Sequence, residues 1–138
     1  MENTINFGID LGTTNSAIAK FVKGDIIVFN NPLDYGRSTL PSVVYYKKDR
    51  IIVGNKAKEY LERDPKNVIG LFKRKMGTSE SLQIKSINES KNPVELSAQV
   101  LKELYCLHMF VIDISSGYML MDSTIYIELN MALKQKFR

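Results

Sequence analysis

The sequence predicts an α/β fold: a mixed sheet opened by a three-stranded meander, helices flanking it, and a small outer subdomain around residues 40–77. Three observations carry this. As far as residue 54, apolar residues alternate or run in short blocks between turn signals, the pattern of strands. From residue 55 they recur instead at three- and four-residue spacing, the pattern of helices. A capped helix start then stands at Asn92 and Pro93. With 138 residues the chain is long enough for one domain with its own core.

The elements follow in order. Residues 5–11, INFGIDL, form a short buried strand, and residues 16–22, SAIAKFV, alternate as a second. Lys23, Gly24 and Asp25 make a tight turn into a third strand at 26–30. Residues 30–38, NNPLDYGRS, carry enough Asn, Pro, Asp and Gly to be a loop. Residues 41–46 and 50–54 are two more strands around the polar turn KKD. Ala57, Tyr60 and Leu61 then share a helix face, and Asp64 with Pro65 ends that helix. A second helix follows Asn67, its apolar side made by Val68, Ile69, Leu71, Phe72 and Met76, and Gly77 stops it. Residues 78–92 are polar and read as loop. In the third helix Asn92 is the N-cap, Pro93 takes the first helical position and Glu95 closes a capping box. Val94, Ala98, Leu101, Leu104 and Tyr105 line its apolar face. After Tyr105 the stretch CLHMFVIDI is apolar on every side and offers no stripe to continue an amphipathic helix.

Composition narrows the function. At 44% hydrophobic and 25% charged residues the chain is an ordinary globular protein. The net charge is +4, but the basic residues are scattered rather than set in a stripe with aromatics, so nucleic acid is not the expected partner. No apolar run is long enough to span a bilayer, and the N-terminus lacks the basic-then-apolar layout of a secretory signal. Cys106 is the single cysteine, which fits a reducing, cytoplasmic location. It and the single histidine, His108, do not make a metal cluster by themselves.

The chemistry concentrates in residues 7–19, FGIDLGTTNSAIA. Asp10 falls near a strand end, where burying an unpaired carboxylate is costly. A hydrated Mg²⁺, which keeps its waters and needs only one or two carboxylates, would offset that cost. Gly12 lets its backbone approach a charged oxygen closely. Thr13, Thr14 and Asn15 present successive N–H groups and short polar side chains, a concave set of donors that suits phosphate. Neither G-x-x-x-x-G-K-[ST] nor G-x-G-x-x-G is present, and no helix follows the turn. On chemistry alone a plain hairpin with a solvent-facing acid stays open beside the phosphate loop.

The stretch GIDLGTTNS at 8–16 closely resembles the first phosphate-binding loop of the DnaK-type seventy-kilodalton heat-shock chaperones, whose nucleotide-binding fold is shared with actin and the sugar kinases. TLPSVVYY at 39–46 is similar to the family's T-T-P-S-V-V element, with Leu40 where threonine is usual. IIVGNKAKEYLERDPKNVI at 51–69 resembles its V-G-x-x-A-K segment, LFKRKMG at 71–77 its F-x-x-K-R-x-[IM]-G, and ELSAQVLKEL at 95–104 its I-S-A-x-V-L-x-x-L helix. Order and spacing agree over about residues 5–105, and the short link from Gly77 to Asn92 resembles the compact HscC-like branch.

That resemblance implies an actin-like ATPase (ribonuclease H-like) fold, here a partial first lobe, in an ATP-dependent chaperone that assists protein folding. It implies ATP or ADP with Mg²⁺ as cofactors, and unfolded client proteins and co-chaperones as partners. Residue by residue, it implies that Asp10 holds Mg²⁺ through water and that Gly12, Thr13, Thr14 and Asn15 contact the β- and γ-phosphates. Lys73 would reach the γ-phosphate and help align the attacking water. Arg74 and Lys75 read as a solvated face.

The resemblance stops near Tyr105. The V-P-A-Y-F stretch, the second phosphate loop, the adenosine pocket and the client-binding domain of the family have no counterpart in the sequence, and a frameshift or rearrangement after Tyr105 is the expected cause of the abrupt loss. Residues 1–105 are thus expected to be a partial nucleotide-binding domain and 106–138 a divergent tail. Activity of the chain alone is expected to be weak or absent, since one phosphate loop cannot supply in-line positioning. Two other readings stand beside this one. A non-catalytic remnant or interaction protein would expose apolar faces. A sugar-kinase relative would need an acid or Trp/Gln platform for its acceptor, but the chain has no Trp and the FKRKMG element would be left without a role.

Overall fold

The structure, a computed structural model, describes residues 6–31 and 34–116. Its first sheet is the meander: β1 (Asn6–Leu11), β2 (Asn15–Val22) and β3 (Asp25–Val28), joined in order by antiparallel pairing. Ile9 lies opposite Ile18 and Asp10 opposite Ala17. Because side chains alternate across a strand, these two pairs point to opposite faces. The Ile18 face looks into the core; on the other, Asp10, Phe21, Ile26 and Val28 are exposed. A short strand β4 (Leu40–Pro41) pairs with the start of β2, Asn15 against Pro41 and Ser16 against Leu40.

The second sheet has the order β6-β5-β7, with β5 (Val43–Lys47) between β6 (Arg50–Val53) and β7 (Val68–Gly70). It forms the outer subdomain together with α1 (Asn55–Lys58), whose Ala57 is fully buried beside Val43, Tyr45 and Val68. Gly54 before α1 has φ 85°, which favours glycine, and a side chain there would also have to push Leu40 Cδ1 aside. The Tyr45 ring stacks on Tyr60 at 4.2 Å and its hydroxyl donates to Asp64. Asn67 donates to both oxygens of Asp64 and accepts from the Ser86 N–H, while the Ser86 hydroxyl donates to the Tyr46 carbonyl. One polar chain thus ties the outer sheet to the next hairpin.

That hairpin, β8 (Leu82–Ile84) with β9 (Glu89–Lys91), occupies the stretch expected as loop. Its apolar content is slight, but Ile84 is fully buried and gives it an anchor. The second expected helix is also corrected. Val68 and Ile69, both β-branched, pair with Tyr45 and Val44 as strand, and Leu71 at φ 56° breaks the run before a 3₁₀ turn over Phe72–Lys75. The first expected helix shrinks to α1 followed by turns through residue 63.

The long helix α2 (Pro93–Ser116) begins as expected. The Asn92 side chain accepts from the Glu95 N–H and the Glu95 carboxylate accepts from the Asn92 N–H, at 2.9 and 2.8 Å. Its buried row is Leu96, Val100 and Leu104; Val94, Ala98, Leu101 and Tyr105, expected to line the core, are half-buried flanks. The row packs on Ile18, Leu40, Val44, Tyr46, Ile69, Phe72 and Ile84 in one cluster that joins both sheets. The helix also runs on past Tyr105, where the loss of a stripe argued for a break. Every strand pairing among the described residues is antiparallel, so the parallel pairing of a mixed sheet is not among them. Expectations for residues 1–5 and 117–138 lie outside the described residues.

Candidate functional site

The connection from Leu11 to Ser16, which face each other across the hairpin, consists of Gly12, Thr13, Thr14 and Asn15. The chain folds back so sharply that a Cβ on Gly12 would lie 2.1 Å from the Asn15 carbonyl oxygen. Nothing but hydrogen fits there. Two of the turn's carbonyls are tied down by one residue outside it: the Ser42 hydroxyl donates to the Gly12 carbonyl at 2.8 Å, and the Ser42 N–H donates to the Thr14 carbonyl at 2.9 Å. Ser16 Oγ lies 2.8 Å from Ser42 Oγ, and both serines are buried. Among the described residues, no backbone carbonyl engages the N–H of Thr13 or Thr14. The turn therefore offers donors and small hydroxyls, with Thr14 and Asn15 exposed.

Asp10 is exposed, on the open face of the sheet. Its carboxylate is therefore not buried as expected, and water solvates it without the cost of desolvation. Among the described residues no three acids, histidines or cysteines gather into a metal-binding group. The donor set fits Mg²⁺ only as an ion already carried on phosphate oxygens and waters, with one carboxylate at its edge.

Lys73 sits on the 3₁₀ turn whose first residue, Phe72, is 1% exposed in the main core. Leu11, one residue before the loop, packs against that same cluster. The loop and the Lys73 turn are thus anchored to one core. Lys73 is half-buried and, among the described residues, its ammonium is in no ion pair. Lys75 instead pairs with Glu80 and Arg74 is exposed, as a solvated face requires.

A cavity of about 650 Å³ lies elsewhere. It lies between the β5–β6 hairpin, β9 and α2, among Lys47, Arg50, Glu89, Lys91 and Glu103, and touches none of the expected site residues. Burial there holds the Glu103 carboxyl above its ordinary value, opposed by Lys56 and Lys102. Burial, with Glu103 nearby, also pushes the Cys106 thiol up, the reverse of an activated nucleophile. The phosphate-type loop, by contrast, is a tight hairpin turn outside that cavity. Ser16 and Ser42 are the residues sequence reasoning passed over; their signal was a small hydroxyl at a buried-strand position in each of two separate motifs.

A hairpin tip of backbone donors pinned to a second sheet, with a long helix behind both, is the first-lobe arrangement of the actin-like ATPase class. The family model described as Hsp70 protein matches residues 6–105. The chain is 40% identical over 104 residues to "Chaperone protein DnaK" of Mycoplasmoides gallisepticum, covering 74% of this chain and 17% of the relative. It is 47% identical over 97 residues to "Chaperone protein DnaK" of Mycoplasma mobile, covering 70% and 15%. It is 37% identical over 123 residues to "Chaperone protein HscA homolog" of Vibrio campbellii, covering 75% and 20%. The chain belongs to the Hsp70 family, and the matches span at most a fifth of these relatives' length.

Proposed function

We propose that this chain is the N-terminal part of an ATP-dependent chaperone, and that its own residues form half of a Mg-nucleotide grip. Gly12, Thr13, Thr14 and Asn15 hold the β- and γ-phosphate oxygens through backbone N–H and hydroxyl groups. Asp10 holds the phosphate-borne Mg²⁺ through water, which supplies charge neutralisation when bound. Lys73 would supply positive charge to the γ-phosphate, where such charge stabilises the oxygens of phosphoryl transfer. The single observation that carries this reading is the Gly12–Asn15 turn, with its carbonyls tied inward and its donors left over. By itself the chain binds ATP weakly and hydrolyses it little or not at all. The further partners are unfolded client proteins and co-chaperones, met through parts of the family that these residues do not include, and the location is cytoplasmic. Among the described residues no helix is long and apolar enough to cross a membrane.

A calorimetric titration of the purified chain with Mg-ATP tests the reading. Weak heat, with amide shifts confined to residues 10–16 in a parallel NMR titration, is expected. Micromolar affinity would contradict the half-grip, and shifts centred on the cavity beside α2 would contradict the choice of loop. A second reading has an observation of its own: Phe21, Ile26 and Val28 expose 52%, 74% and 47% of their surface on one sheet face. Such a face suits a non-catalytic interaction protein. Light scattering after gel filtration separates a self-associating chain from a clean monomer.

A further inference from the structure

We propose that Ser42 is a positioning residue for the phosphate loop: it sets which way the peptide planes of Gly12–Thr13 and Thr14–Asn15 face. The proposal rests on reading the loop as a phosphate grip. A serine hydroxyl has one proton to give. Ser42 gives its proton to the Gly12 carbonyl, so the bond between the two serines must run from Ser16 to Ser42. The result is a directed relay, Ser16 to Ser42 to Gly12, in a buried setting where each bond polarises the next. The Ser42 N–H adds a second tie, to the Thr14 carbonyl.

A trans peptide is planar, with its C=O and the following N–H pointing in opposite directions. Holding the Gly12 carbonyl toward Ser42 therefore aims the Thr13 N–H away from it. Holding the Thr14 carbonyl toward Ser42 does the same for the Asn15 N–H. Ser42 is 1% exposed, so these ties are made in a buried setting on one side of the turn. Two alternate N–H groups are thereby both turned from Ser42, an arrangement that suits an anion. Without the Ser42 hydroxyl the Gly12–Thr13 plane is free to turn over. That would present a carbonyl oxygen, with its partial negative charge, to the anion. Ser42 touches no phosphate in this account; it acts through the loop. It also gives the TLPS element a role beside a loop some thirty residues earlier.

The test uses the full chain, labelled with ¹⁵N, as wild type, Ser42→Ala, Ser42→Cys, Ser42→Thr and Ser16→Ala. Cysteine keeps the size but donates weakly; threonine keeps the hydroxyl. Amide exchange at Thr13 and Asn15 is read in the free protein, and Mg-ATP and tripolyphosphate titrations follow. Ser42→Ala and Ser42→Cys are expected to speed exchange at those two amides and weaken the polyphosphate response by about tenfold, the worth of one buried hydrogen bond. Ser42→Thr should restore both, and Ser16→Ala, which spares the bond to Gly12, should lose less. Unchanged exchange and unchanged titrations in Ser42→Cys overturn the proposal, even if Ser42→Ala does not fold. Equal losses in Ser42→Thr also overturn it, since size rather than the hydroxyl would then matter. If wild type gives no polyphosphate response while Ser42→Cys still changes exchange at Thr13 and Asn15, the phosphate reading fails and the positioning role stands.

Discussion

Replacing Gly12 with alanine, and Gly8 with alanine as its partner experiment, separates space from flexibility within one hairpin. Neither glycine has a positive φ, so alanine is free of backbone strain at both. At Gly8 a Cβ meets nothing within 4 Å. There the methyl only reduces the freedom of the unfolded chain, and Gly8→Ala should stabilise by about 0.4–1 kcal/mol. At Gly12 the Cβ would lie 2.1 Å from the Asn15 carbonyl oxygen, a backbone atom that cannot swing aside as a side chain can. The turn must open, and opening it stretches the Ser42 bonds to the Gly12 and Thr14 carbonyls. Overpacking of this kind costs about 1–3 kcal/mol. The two variants should therefore differ by about 1.4–4 kcal/mol and in sign. Urea unfolding followed by circular dichroism reads the difference as a shift in midpoint at constant slope. Midpoints for the two variants within error of each other would refute the claim that close backbone approach, rather than any general dislike of a side chain, demands glycine at 12.

Three other outcomes follow from the same structure. Phe72→Ala empties the centre of the cluster under the Lys73 turn and should cost about 3–5 kcal/mol in urea unfolding, whereas Leu71→Ala, at an exposed neighbour, should cost far less. Asn92→Ala removes one side of the capping box and should cost about 1 kcal/mol, with faster amide exchange confined to the first turn of α2. Burial, with Glu95 and Glu89 adding repulsion, pushes the Tyr46 phenol up to about 12 from 10.0. A raised phenol favours the neutral form in the folded state, so its contribution is intact below pH 10.0 and lost as pH rises to about 12. Tyr46→Phe should flatten that fall in the urea midpoint; an unchanged slope with pH would remove Tyr46 as its source.

The meander was legible because its signals are local: alternation in SAIAKFV, a tight turn at Lys23 and Gly24, and a second apolar run after it. The α2 start was legible for the same reason, since both halves of the capping box lie within four residues. The region from 64 to 91 was not. Val68 and Ile69 have apolar neighbours at helical spacing, and only β5, more than twenty residues earlier, makes them strand. The β8–β9 hairpin has the same difficulty, because the pocket that receives Ile84 is built by other elements. At the site, the glycine and hydroxyl content of the turn could be read directly, while the exposure of Asp10 could not. Exposure depends on which sheet face is covered, and residues 7–10 alone leave both faces equivalent. The Ser16–Ser42 relay needed the pairing of β2 with β4, a two-residue contact with no periodic signature.

The helix that closes the described region has a bearing on where this protein can be divided. Recognisable ancestry ends at residue 105, and a truncation designed on kinship would be made there. Yet α2 continues to Ser116, and Leu107, beyond that border, packs against the main core. A helix gains stability cooperatively along its length, so trimming it at 105 would fray the turns that carry Val100 and Leu104. Lineage and mechanics set different edges: the inherited pattern stops inside a turn of helix, and the unit that folds includes residues the inheritance does not explain.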